Sequence, residues 1–286
     1  MAVKLMQSSR LICIGILIVL AASSLVASVG GPRSLNFHPI IFIEQKYLMG
    51  GSANGKWIEA SKLAAKVKGS EIYRVYGFGG LVGKGKGSKP ETLGPPCPET
   101  EFVTVKPLGP KWQKEGLFAI AGDWNAQPRV PRKLSTDNAF YRAAIADVLK
   151  KHGISNPIVH LDQVIQVDLE GDGTQEILIC ANRNDGHGGP FEHVRSNVTA
   201  GDYSVVLLRR VVGNRAETLI LDEEYYPLTK ESIAPNVFQI AAVLDFDGDG
   251  KLEVAIESRY YEGGGMTIYE VSGRKPRVAL VEGCGA

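Results

Sequence analysis

Two stretches of this chain are near copies of one another, and they restrict what can be built around them. The first reads Asp168-Leu169-Glu170-Gly171-Asp172-Gly173-Thr174-Gln175-Glu176. The second reads Asp245-Phe246-Asp247-Gly248-Asp249-Gly250-Lys251-Leu252-Glu253. Each places acidic side chains at positions 1, 3, 5 and 9, with glycine at 4 and 6. Carboxylates at alternate positions converge when the chain curls around a centre, and four converging carboxylates repel unless a counter-ion joins them. Oxygen donors in this spacing suit one hard cation, Ca²⁺ above all. Zinc would require Cys or His, and Mg²⁺ prefers a smaller octahedral site that keeps its waters. The expectation is two Ca²⁺ sites.

Gly173 and Gly250, at position 6, permit the sharp turn. The carbonyls of Thr174 and Lys251, at position 7, would add one ligand each. Glu176 and Glu253 would complete each shell, directly or through water. A helix–loop–helix EF-hand does not fit. Its position 12 needs a bidentate Glu, where this chain has Ile179 and Ile256, and the flanking runs read as strands. Two competing readings stand beside this one: an Asp/Gly turn that binds nothing, and an ion that only holds the loop folded.

The loops sit inside a longer repeat. Each is entered from an apolar strand (Val164 to Val167, Ile240 to Leu244) and left on another (Ile177 to Cys180, Val254 to Glu257). Each unit then has a hairpin, Tyr203 to Val212 with Thr218 to Leu221 and Met266 to Val271 with Val278 to Val281. Two units cannot close a propeller, so two small antiparallel sheets packed together are expected. Ahead of them, residues 31–132 read as a β-rich region with strands at Ile40 to Ile43, Ile72 to Tyr76, Phe102 to Val105 and Leu117 to Ala121. A short helix is expected around Ala60, Leu63, Ala64 and Val67, and a long exposed loop from Gly77 to Gly94. Residues 133–157 form a helical connector, with a long helix from about Thr136 to His152 capped by Ser135 or Thr136. Residues 158–286 hold the two units. The fold class is mainly β with one long helix (α+β).

The net charge of +1 and charged fraction of 22% set up no global field for nucleic acid or an anionic membrane. Residues 1–30 read as a signal peptide, with Lys4 and Arg10 ahead of the apolar run Leu11 to Leu20 and small residues beyond. The alternative is an uncleaved anchor, the one route to a membrane. Either way the protein is expected to be secreted or periplasmic. Cys97 and Cys284, in loop-like sequence, either pair or stay free; Cys180, after Ile177-Leu178-Ile179, reads as a buried thiol.

Val167-Asp168-Leu169-Glu170-Gly171-Asp172-Gly173 and Leu244-Asp245-Phe246-Asp247-Gly248-Asp249-Gly250, each followed by an apolar strand, resemble the FG-GAP/VCBS-type repeats of the integrin α-chain head and of secreted bacterial proteins. The resemblance covers about Val164 to Ala286. It implies Ca²⁺ held between two strands, with Asp168, Glu170, Asp172 and Glu176 as one ligand set and Asp245, Asp247, Asp249 and Glu253 as the other. Glu170 stands where that family more often has Asp, which implies a looser first site. The resemblance also implies an adhesive or binding platform, so the expected function is a non-enzymatic module for an extracellular protein or glycan. A carbohydrate-directed hydrolase with structural Ca²⁺ and a structural envelope protein are the alternatives, and no catalytic residues are identifiable from spacing.

Four further segments carry weaker signals. A polar insert holds Arg183, Asn184, Asp185, His187, Glu192, His193 and Arg195, suited to recognition or to a mobile surface loop. The glycine-rich run from Gly77 to Ser88 lacks the Lys-Ser/Thr step of a phosphate loop. Asp123-Trp124-Asn125 and Tyr260-Tyr261-Glu262 could line a sugar groove or pack at the core edge.

Overall fold

The computed structural model describes residues 37–113, 117–183, 197–213, 215–273 and 275–285. The expected signal segment and most of the polar insert, residues 184–196, lie outside the described residues. In chain order the elements are β1 (His38–Phe42), β2 (Tyr47–Ala53), β3 (Lys56–Glu59), α1 (Ala60–Leu63), β4 (Ile72–Gly77), β5 (Gly80–Gly87), β6 (Val105–Pro107), β7 (Phe118–Ile120), β8 (Arg132–Lys133), α2 (Ala139–Lys151), β9 (Leu161–Val167), β10 (Glu176–Asn182), β11 (Asp202–Val212), β12 (Arg215–Tyr226), β13 (Val237–Leu244), β14 (Glu253–Tyr260), β15 (Gly263–Glu270) and β16 (Arg277–Gly285).

The strands form three antiparallel sheets. Their orders are β3-β2-β1-β7-β4-β5-β6, β12-β11-β10-β9-β8 and β13-β14-β15-β16. Each acidic loop is the connection of a strand pair, β9 to β10 and β13 to β14, and each pair opens a four-strand meander.

The sheet β13–β16 is the middle layer. Ala242, Leu244, Ala255, Met266 and Ile268 pack against Ile40, Phe42, Phe118 and Ile120 of the seven-stranded sheet. Ile240, Val243, Val254 and Ile256 pack the other way, against Ile165, Leu178, Val206 and Leu208. Burial on both faces explains why β13 reads as a continuous apolar run. A bulge between Ile240 and Ala242 keeps each side chain on its proper face. The far face of the five-stranded sheet (Val164, Ile179, Val205, Leu207) is covered by Ile145, Val148 and Leu149 of α2. Burying one such aliphatic side chain contributes about 1.5–3 kcal/mol.

The helix expectation needs correction. Among the described residues there is no single long helix but two short α-helices, α1 of 4 residues and α2 of 13. Asn138 caps α2, its Oδ1 accepting from the N–H groups of Phe140 (3.0 Å) and Tyr141 (3.3 Å). Ser135 instead accepts from Asp137 N–H at 3.1 Å, closing a turn ahead of the helix. Phe140, in the first turn of α2, is 63% exposed.

The expected loop from Gly77 to Gly94 also needs correction, because Gly80–Gly87 is strand β5, paired with both β4 and β6. Lys84 and Lys86 face out while Gly85 and Gly87 face in. A Cβ on Gly87 would lie 2.6 Å from the Tyr73 ring, and one on Gly85 would lie 3.0 Å from the Trp112 ring. The aromatic rings fill the space that strand side chains would normally take.

Cys97 and Cys284 form a disulfide across 187 residues of sequence, with Cys284 inside β16 rather than in a loop. Cys180 is a buried free thiol whose Sγ–H donates to Phe238 O at 3.1 Å.

Candidate metal centre

Both acidic loops have the same backbone. Positions 4 and 6 adopt left-handed φ values, +76° and +87° at Gly171 and Gly173 and +84° and +86° at Gly248 and Gly250. Only glycine occupies that region without strain. The position-1 aspartate folds each loop by accepting backbone N–H bonds. Asp168 accepts from Gly171 (2.6 Å) and Gly173 (3.0 Å). Asp245 accepts from Gly248 (2.6 Å) and Gly250 (3.0 Å). The position-9 glutamate reaches back to position 2: Glu176 accepts from Leu169 N–H and Glu253 from Phe246 N–H, both at 2.8 Å. Position 5 pins position 7, with Asp172 accepting from Thr174 N–H and Asp249 from Lys251 N–H, both at 2.7 Å.

The loops differ in what they bring together. In the second, Asp245, Asp247 and Glu253 each present an oxygen such that the three lie within 4.8 Å of one another, and this is the one such group among the described residues. Asp245 and Glu253 are buried and Asp247 is half-buried. Asp249 stands outside the trio and is exposed, as is Lys251. In the first loop Glu176 is buried and Asp168 and Thr174 half-buried, but Glu170 and Asp172 project into solvent. Asp247 accepts from Asp249 N–H at 3.1 Å. Glu170, one methylene longer at the same position, accepts no hydrogen bond among the described residues.

The electrostatics follow the burial. Loss of hydration pushes the Glu253 carboxyl up to about 9, with Asp247, Asp245 and Asp249 adding repulsion against one opposing hydrogen bond. Burial likewise lifts Asp245 to about 6, and it raises Asp247, where Asp249 adds to the effect. In the first loop burial raises Glu176. Among the described residues no Lys, Arg or His forms an ion pair with the trio. Buried carboxylates without a cationic partner must bind protons or a metal ion. An all-oxygen donor set, partly dehydrated and pre-curled by two left-handed glycines, fits a hard divalent cation.

Sequence spacing did not disclose what holds these loops. Trp124 donates its indole N–H to Asp245 O at 2.8 Å, and a Cβ on Gly248 would lie 3.1 Å from its ring. Asp245 N–H donates to Ala126 O at 2.8 Å. The core-edge reading of Trp124 therefore describes its place. Arg129 grips the first loop, its Nε donating to Asp168 O at 2.5 Å. Both residues lie in irregular chain between β7 and β8, more than 35 residues from either loop. The only local signal is an indole and a guanidinium in a segment without periodicity. No protein-family model matches the chain, and no curated protein or solved structure is significantly similar to it.

Proposed function

We propose that the second loop is a divalent-cation site, with Ca²⁺ the best chemical match, and that the protein is a secreted, non-enzymatic binding or adhesion-type module whose β scaffold the ion stiffens. The observation that carries this reading is the buried trio of Asp245, Asp247 and Glu253. The first loop shares the fold of the second and would hold a weaker ion. Asp168, Glu170, Asp172 and Glu176 would be its donors. The FG-GAP/VCBS resemblance supports the same ion chemistry and the platform role. The Cys97–Cys284 disulfide supports an oxidising compartment.

Calorimetric titration of chelator-stripped protein with CaCl₂ and with MgCl₂ tests the ion. Heat at one or more sites and a raised melting temperature are expected, with roughly 2.7 kcal/mol gained at a hundredfold excess over Kd. Absence of both heat and melting shift contradicts the reading. Glycan and extracellular-protein arrays probed with and without Ca²⁺ then test the module role, for which ion-dependent capture is expected.

A further inference from the structure

The two acidic loops touch, and one side chain from outside them fastens the junction. Leu252 N–H donates to Leu169 O at 2.8 Å, linking position 8 of the second loop to position 2 of the first. Arg129, half-buried, lies across both. Its Nε donates to Asp168 O, and its Nη2 donates to Leu169 O at 3.0 Å and to Gly250 O at 2.9 Å. Gly171 makes room for it, since a Cβ there would meet the guanidinium at 3.0 Å.

The positions that Arg129 uses are informative. They are carbonyls 1 and 2 of the first loop and carbonyl 6 of the second. The oxygens suited to an ion are the side chains at 1, 3, 5 and 9 and the carbonyl at 7. The guanidinium therefore ties the two backbones together without taking any oxygen an ion would use. Its planar fork suits this task, whereas an ammonium could not hold three carbonyls in a fixed arrangement.

We propose that Arg129 is a positioning residue that couples the two loops, so that a cation in one raises the affinity of the other; this rests on the cation reading above. An ion in the second loop fixes the backbone through Gly250, whose carbonyl orients Nη2, and the same nitrogen orients Leu169 O. Part of the ordering cost of the first loop is then already met, and coupling through shared ordering is positive. Repulsion between two ions opposes this, but the acidic side chains of both loops and the water at the exposed first loop screen it.

Terbium, a luminescent stand-in for Ca²⁺, provides the test. Trp124 packs on Gly248, so emission sensitised by its indole reports occupancy of the second loop, with Trp124→Phe as the control. Asp172→Asn weakens the first loop while its Oδ1 can still accept from Thr174 N–H. In the wild-type background this change is expected to lower second-loop affinity about fivefold or more. In Arg129→Gln or Arg129→Lys, the same change is expected to leave second-loop affinity within about twofold, in the manner of a broken thermodynamic cycle. An equal drop in all backgrounds overturns the role of Arg129. No drop in wild type overturns the coupling while leaving the cation reading in place. No sensitised terbium that calcium displaces overturns both. The wild-type and Asp172→Asn comparison decides the coupling even if an Arg129 variant fails to fold.

Discussion

The first and second acidic loops share a spacing, a glycine pattern and a set of internal hydrogen bonds, yet only the second gathers three carboxylates into a buried cluster. Position 3 differs, Glu170 against Asp247, but the larger difference lies outside the loops. The Trp124–Ala126 segment lies over the second loop, where it holds both backbone groups of Asp245. The first loop is held by Arg129 at its carbonyls, which leaves Glu170 and Asp172 in water. Covering chain thus turns one acidic turn into a strong candidate for an ion, while its twin stays a solvated version of the same device. Near-identical local sequence becomes different electrostatics through tertiary cover, with the longer position-3 side chain of the first loop adding to the difference.

The largest expected break in this comparison is with pH. In the ion-free fold Glu253 holds its proton up to about pH 9, whereas in the unfolded chain it loses it near 4.5. Between those values the folded state binds more protons than the unfolded state, so ion-free stability falls as pH rises, by up to about 1.4 kcal/mol per unit. Asp245 adds to the slope between 3.8 and about 6. A bound cation keeps both groups ionised and removes the slope. The calcium-induced rise in melting temperature should therefore grow from pH 5 to pH 8. Glu253→Gln should flatten the ion-free profile much more than Glu176→Gln does.

Next in size is the position-1 aspartate. At saturating calcium, Asp245→Asn should remove most of the roughly 2.7 kcal/mol of ion linkage, lowering the melting temperature by about 5–10 °C. Asp168→Asn should lose well under half of that. Equal losses in scanning calorimetry would erase the distinction between the loops.

The glycines probe what the loops share. Gly173 and Gly250 have matching φ values and open space around a would-be Cβ. Gly173→Ala and Gly250→Ala should each cost about 1–2 kcal/mol without calcium, as a left-handed alanine does. Chemical denaturation should return similar values for the two.

The smallest effect sharpens the comparison. Glu170→Asp gives the first loop the position-3 side chain of the second and should tighten its calcium affinity a few-fold by calorimetry. Asp247→Glu should weaken the second loop by at least as much. A first loop indifferent to Glu170→Asp would show that missing cover, not side-chain length, limits it.

Local pattern was enough to place the hairpins that carry the loops, because apolar runs such as Ile177 to Cys180 abut Asp/Gly turns directly. It also anticipated the buried thiol of Cys180. Strand β5 escaped notice because glycine rarely builds strands; its Gly-Lys alternation makes sense only once the rings of Tyr73 and Trp112 are in place. The start of α2 was misplaced because Ser135, Thr136 and Asn138 can all cap, and only the folded chain chooses. The unequal burial of the two loops could not be read at all, since it depends on Trp124 meeting Asp245 from 121 residues away.

A crystal structure of chelator-stripped protein soaked in millimolar calcium puts the second loop to the most direct test. One anomalous peak is expected among Asp245, Asp247 and Glu253, with oxygen ligands at about 2.3–2.6 Å. An unchanged carboxylate cluster with no peak there, at calcium concentrations well above those of extracellular fluid, would contradict it.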